Sequence, residues 1–199
     1  MVRAPGMKIT VVHAHPSANS FSRAVLDTVL DSLASHDVNV CDLYAEGFQP
    51  ALTEAEHREY LGANPIQDPL VARYAEYVKA AEALVFVYPT WWSGLPAAMK
   101  GWMDRVLVQG VAFGFNDKNR IVPQLGHVRR IAGVTTYGSS RLVTALGADG
   151  GRRTLARALR ISAGWRTRTT WLGLHRMDTA TDEDRRRFLD RVRREFETW

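Results

Sequence analysis

The chain has 199 residues, 46% of them hydrophobic and 24% charged, with a formal net charge of +5. That length suits one domain, residues 1–199, with a full core, and the composition excludes a disordered or fibrous chain. No apolar run reaches the ~18 residues of a membrane span, so no membrane insertion is expected, and a lone cysteine excludes an internal disulfide.

The amino end, MVRAPGMKITVV, carries too short an apolar stretch for a secretory signal, and Met7 is an alternative start. Lys8 to Ala14 (KITVVHA) is a nearly unbroken apolar run, as a central parallel strand requires. His15 to Ser20 reads as a turn. Phe21, Val25, Val29 and Leu33 then recur every four residues and predict a helix over 21–34. Val38 to Leu43 predicts a second strand, within which Cys41 reads as a core filler rather than a nucleophile. With no membrane span or secretory signal expected and no disulfide possible, the chain agrees with a reducing cytoplasm. Residues 47–69 are an elaboration, with a short helix over 54–61.

Residues 70–82 predict a helix with Tyr74, Tyr77 and Val78 inward. A third strand follows at 83–88, then a helix at 97–109. The segment 127–136 holds a fourth strand, 152–160 a helix, and 167–174 a fifth strand. The last segment, TDEDRRRFLDRVRREFETW, predicts a capped amphipathic helix. Thr181 caps it, acids fill its first turn, Glu183–Arg187 and Asp190–Arg194 are spaced i, i+4, and Phe188, Leu189, Val192 and Phe196 share a face.

Strands alternating with helices predict an α/β fold, a parallel sheet covered on both faces. Five of each suit a flavodoxin-like doubly wound sheet of order 2-1-3-4-5. The charge is uneven: residues 1–150 carry 13 Lys/Arg against 14 acids, and 151–199 carry 13 Arg against 7. This stretch is not an unbroken basic run, and its last part reads as a solvated amphipathic helix, so no nucleic-acid binding is expected.

In such sheets ligands bind beyond the carboxyl ends of the strands. Three predicted loops lie there. The first, His15 to Ser22, brings an imidazole, hydroxyls and an amide to a helix start, whose free N–H groups suit phosphate; Asn19 or Ser20 as a plain helix cap is the alternative. The second, Pro89-Thr90-Trp91-Trp92-Ser93-Gly94, holds paired tryptophans that either wall a planar cofactor or pack as a corner of the core. The third, Thr135 to Ser140, either contacts the polar edge of a ring or is an ordinary polar turn. Neither the glycine-rich dinucleotide fingerprint nor a phosphate-loop lysine motif is present, and no metal ligand set is assigned. A phosphate-suited helix start, an aromatic wall and a polar loop together match the phosphate, ring faces and pyrimidine edge of flavin mononucleotide.

Three segments, AHPSANSFS at 14–22, PTWWSGLPAAMKGWMDRVLVQGVAFGF at 89–115 and VTTYG at 134–138, carry a family resemblance. The chain resembles the flavodoxin-like NAD(P)H:quinone oxidoreductases, the group of DT-diaphorase, the modulator-of-drug-activity reductases and the ancillary reductases of glutathione-gated potassium efflux. The middle segment is the specific one, and the similarity runs over nearly the whole chain. It implies a flavin held at its phosphate by His15, Asn19, Ser20, Phe21 and Ser22, along its isoalloxazine by Pro89, Thr90, Trp91, Trp92 and Ser93, and at its pyrimidine side by Thr135, Thr136, Tyr137 and Gly138. It also implies a homodimer with the site at the interface, where Trp91, Trp92 and Trp102 are candidates to face the partner. Trp102 and Met103 are otherwise core at helical spacing.

Two departures stand out. Many relatives carry TTGG where this chain has Thr135-Thr136-Tyr137-Gly138, so Tyr137 is expected to narrow or reshape the pocket. The mammalian members place a Tyr and a His after this loop to move protons, whereas here the stretch reads RLVTALGADGG. Tyr137, a partner group or water then supplies the proton. The reaction the resemblance implies is ping-pong hydride transfer from NADPH or NADH through FMN, or alternatively FAD, to a quinone-like acceptor. Arg141, Arg152 and Arg153 either meet the 2′-phosphate of NADPH or are solvated. Rival functions are a flavin-binding regulatory subunit of a transport system and a flavodoxin-type electron carrier, the second disfavoured by the basic charge.

Overall fold

The computed structural model describes residues 6–147 and 149–199. Residues 1–5 and Ala148 lie outside that part, and with them the start of the 1–199 domain span, the first residues read for a leader and one position of RLVTALGADGG.

A five-stranded parallel sheet forms the centre: β1 Lys8–His13, β2 Asp37–Asp42, β3 Ala83–Pro89, β6 Arg130–Thr136 and β7 Arg168–Leu174, in the order β2-β1-β3-β6-β7. This is the expected doubly wound order, with β6 and β7 as fourth and fifth strands. The central strands read as continuous apolar runs because both faces are covered; every residue of β3 is buried. The pleat divides them. Ile9, Val11, Val85 and Val87 meet Val25 and Val29 of α1 (Phe21–Ser32) and Phe188, Val192 and Phe196 of α8 (Asp182–Phe196). Val12, Leu84, Phe86 and Tyr88 face the other layer, with Tyr74 and Val78 of α3 (Pro69–Ala80) and Met99 and Trp102 of α4 (Ala97–Val106).

Most helix ends follow their chemistry. Ser20, Thr53, Asp68 and Thr181 cap α1, α2 (Glu54–Arg58), α3 and α8, with full capping boxes at Thr53–Glu56 and Thr181–Asp184. Glu183 bonds Arg187 as expected, whereas Asp190 pairs with Arg193 instead of Arg194. Cys41 is fully buried, and burial pushes its thiol up to about 12, so it is a core filler.

Three features depart from the expected elements. A hairpin of β4 (Phe113–Phe115) and β5 (Ile121–Pro123) is inserted before β6; three-residue strands carry no legible alternation. A helix, α5 (Arg141–Leu146), follows β6; it buries no residue, and its six residues are too few to show a period in sequence. The predicted helix over 152–160 is α6 (Gly150–Arg153), a π-helical segment (Thr154–Leu159) and α7 (Arg160–Ala163). Its wider turns leave no mark on the apolar spacing of Leu155 and Leu159, both buried.

Candidate functional site

The parallel ladder continues past the strand ends and ties the three loops to the sheet. Ala14 N–H donates to Val87 O (3.1 Å), Thr90 N–H to Thr136 O (2.8 Å) and Tyr137 N–H to Leu174 O (2.8 Å). Beneath the first loop lies His13, buried, with Nε2 3.3 Å from Ser22 Oγ and Nδ1 3.3 Å from Asp42 Oδ1. Burial pushes its pKa below the ordinary value against the pull of Asp42. His13 thus braces the first turn of α1 as a neutral ring.

Ser20 Oγ accepts the Arg23 N–H (3.1 Å), so Ser20 rather than Asn19 is the cap. The first turn of α1 holds no acid, and the Phe21 and Ser22 N–H groups have no protein acceptor among the described residues. A 12-residue helix with free amides and no opposing acid in that turn is suited to an anion. His15 Nδ1 accepts the Ser17 N–H (3.0 Å), and its ring lies 6.4 Å from that of Trp91.

The second loop is a tight turn. Gly94 N–H donates to Trp91 O (3.0 Å), and the two central residues, Trp92 and Ser93, have φ of 48° and 57°. Two positive-φ centres define the mirror-image turn that Asn-Gly ordinarily occupies. Two L side chains there cost roughly 1–2 kcal/mol each. Strain of this kind concentrates at functional sites. Gly150 N–H holds the turn from the far side through Ser93 O (2.7 Å). Trp91 is 44% exposed and Trp92 fully exposed, so neither is core. Trp102, by contrast, is fully buried against Phe86 and cannot face a partner subunit.

A cleft of about 290 Å³ gathers residues from all three loops: His15, Phe21 and Ser22, then Pro89, Thr90 and Trp91, then Thr136 and Gly138. A second hollow of about 250 Å³ shares Thr90 and Gly138 with it and adds Trp92, Ser93 and Tyr137. Asn19 and Ser20 line neither. Thr135 is buried behind them, its Oγ1 2.8 Å from Thr90 Oγ1.

Tyr137 departs from expectation in its placement. Its side chain is buried, its hydroxyl donates to Asp149 Oδ2 (2.7 Å) and accepts from Trp171 Nε1 (2.8 Å), and its ring stacks on His175 at 4.4 Å. Gly173 leaves room for that ring, since a Cβ there would lie 2.7 Å from Tyr137 Cε2. Burial first, and then the Asp149 carboxylate, raise the phenol well above its usual range. The aromatic bulk is therefore tucked against β7.

Sequence reasoning missed the loop after β7. It brings His175 beside Tyr137, and Met177 and Asp178 to the rim of the first cleft. The signal was present: LHRMD follows a strand of the same sheet and leaves its carboxyl edge. The stretch RLVTALGADGG lacks a histidine, yet the fold supplies one from elsewhere.

Residues 7–197 match the family described as flavodoxin-like fold, and the chain belongs to that family. It is 31% identical over 170 residues to the ribosyldihydronicotinamide dehydrogenase [quinone] of Pongo abelii, spanning 73% of this chain and 70% of the relative. Among solved structures it is similar to Smu.1420 of Streptococcus mutans UA159, with 28% identity, a TM-score of 0.83 and coverage of 97% of this chain and 100% of that one. The NAD(P)H:quinone oxidoreductase of Methanothermobacter marburgensis gives 28% identity, a TM-score of 0.80 and coverage of 97% and 96%. The family resemblance drawn from the three motifs is borne out.

Proposed function

We propose that this chain is a flavin-dependent NAD(P)H oxidoreductase that reduces quinones or similar flat acceptors by two electrons, with FMN as its flavin. One observation carries the reading. A cleft at the carboxyl edge of the sheet joins an acid-free helix start, an exposed tryptophan turn held in strained backbone, and a hydroxyl-rich loop. The names of the relatives, a quinone dehydrogenase and an NAD(P)H:quinone oxidoreductase, point the same way.

In this reading the Phe21 and Ser22 amides, with His15, hold the flavin phosphate, and Asn19 and Ser20 shape that turn. Pro89, Thr90, Trp91, Trp92 and Ser93 flank the ring system, and Thr135, Thr136, Tyr137 and Gly138 lie at its pyrimidine side. A flavin held there would supply the hydride-transfer chemistry by which NAD(P)H, a proton and a quinone become NAD(P)+ and a hydroquinone. The protein would orient the ring system and offer it fixed N–H dipoles from Trp92 and Ser93, whose amides have no protein acceptor among the described residues. Tyr137, whose hydroxyl donates to Asp149, serves as the proton source in this reading. We place the site at the interface of a homodimer and the protein in the cytoplasm. No described helix is long and apolar enough to cross a membrane.

Denaturing the purified protein and weighing the released cofactor tests this reading. The expected result is a yellow protein that yields FMN at one per chain and is bleached by NADPH or NADH. A colourless protein that takes up neither FMN nor FAD overturns it.

A further inference from the structure

The hollow beside Trp92 does not end at Tyr137. Through Tyr137, Thr144 and Asp149 it adjoins a second of about 530 Å³, and through Arg141, His175 and Arg191 that one adjoins a third of about 430 Å³, which adds Arg176. Three hollows thus lie side by side from the candidate flavin cleft outward along the end of β7.

Their outer part carries an excess of positive charge: Arg141, Arg152, Arg176, Arg187 and Arg191 line it against two acids, Asp149 and Asp184. Arg141, Arg176 and Arg191 form no ion pair among the described residues. Arg191 donates Nη2 to Gly173 O (3.1 Å) and lies over the Phe188 ring, while its buried Nε has no partner. Burial first, then Arg141 and Arg194, lower its pKa. These two acids are already engaged: Asp149 accepts from Tyr137 and caps α6, and Asp184 is held in the Thr181 capping box. The cause is legible in the chain, since residues 118–177 hold twelve Lys/Arg and a single acid, Asp149. Unanswered guanidinium groups around a concavity are suited to a doubly charged phosphate, which their planar forks bind bidentately.

We propose that Arg141, Arg176 and Arg191 bind the 2′-phosphate of NADPH, making the protein selective for NADPH over NADH. This inference rests on the oxidoreductase reading above. A dinucleotide laid along these hollows has its nicotinamide at the flavin cleft and its adenosine end among the arginines. NADH lacks the phosphate and leaves those charges unanswered.

The test uses the flavin-loaded full chain and the exposed Arg141, whose side chain makes no hydrogen bond to the described protein. Wild type is expected to show a kcat/KM for NADPH at least about tenfold above that for NADH. Arg141→Ala is expected to raise KM for NADPH about tenfold, with NADH parameters moving less than about twofold. Calorimetry supplies a readout independent of turnover. Adenosine 2′,5′-bisphosphate is expected to bind wild type, to bind Arg141→Ala about tenfold more weakly, and to outcompete adenosine 5′-monophosphate. Equal use of both donors, or equal loss with both in the variant, overturns the proposal. So does release of FAD from wild type with loss of that FAD in Arg141→Ala, because the arginines then serve the flavin's second phosphate. A protein that takes up no flavin defeats the oxidoreductase reading instead, and the calorimetry still decides the arginine site.

Discussion

Arg105 shows how one side chain organises the neighbourhood of a site it does not touch. It is buried in α4, and its guanidinium bonds Glu56 through Nε and Nη2, Asp68 Oδ2 (3.0 Å) and Gln49 O (2.5 Å). Those three partners belong to the elaboration over residues 47–69, so Arg105 pins that segment to the core. Removing one member of a buried, hydrogen-bonded pair strands the other charge. Arg105→Ala is therefore expected to cost about 3–5 kcal/mol in urea unfolding. Arg105→Lys should restore little of this, because an ammonium cannot reach three acceptors as a planar fork does. The pair has a pH signature. Burial alone raises the Glu56 carboxyl, but Arg105 and Thr53 outweigh it and hold the group below its ordinary value. The stabilisation is therefore fully present above the ordinary glutamate pKa of about 4.3 and is lost as pH falls through the lowered folded value. Arg105→Ala should remove that part of the acid-unfolding transition.

At the scale of elements, close approaches govern what the loops can do. Gly101 lies inside α4, where alanine would ordinarily favour the helix by about 1 kcal/mol. A Cβ there, however, would lie 2.2 Å from Pro50 O and 2.5 Å from Pro50 Cα, and backbone cannot step aside as a side chain can. Gly101→Ala is thus expected to destabilise the fold by about 1–3 kcal/mol in thermal or urea unfolding, whereas Gly126→Ala, with nothing within 4 Å, should be near neutral. Much at this scale was legible in the chain. Apolar runs marked the strands of the main sheet, and Thr181 with its acids marked α8. The π-helical segment, the β4–β5 hairpin and α5 were not, since each is too short to set an apolar period of its own. The same limit applied to the site. The motifs indicated three loops, but His175 joins Tyr137 only because β7 lies beside β6.

For the whole molecule, the open question is what covers the rim of the cleft. Trp92 is fully exposed, and Leu142, Val143 and Leu146 of α5 are each more than half exposed. The end of α5 meets the Trp92–Ser93 turn, since a Cβ on Gly147 would lie 3.2 Å from Ser93 Oγ. Exposed apolar side chains gathered at one rim in this way are expected to be buried by a second copy. Sedimentation equilibrium should return twice the 22.3 kDa chain mass, and Trp92→Ala with Leu146→Ser should weaken the dimer at least about tenfold. A monomeric wild type at micromolar concentration would defeat this assignment.

The amino-acid sequence by itself determined the alternation of strand and helix, the parallel sheet it forces, and the three loops at the carboxyl edge of that sheet, the tryptophan loop among them. These are local properties: apolar period, capping chemistry and the order of motifs along the chain. Only the tertiary structure decided that Trp92 and Ser93 share a left-handed turn, that Tyr137 is tucked onto His175 and Asp149 rather than left to narrow the cleft, and that Trp102 is core. It alone gathered Arg141, Arg176 and Arg191 around one hollow. Such outcomes depend on which strands become neighbours and which acids are already engaged, and spacing along the chain encodes neither.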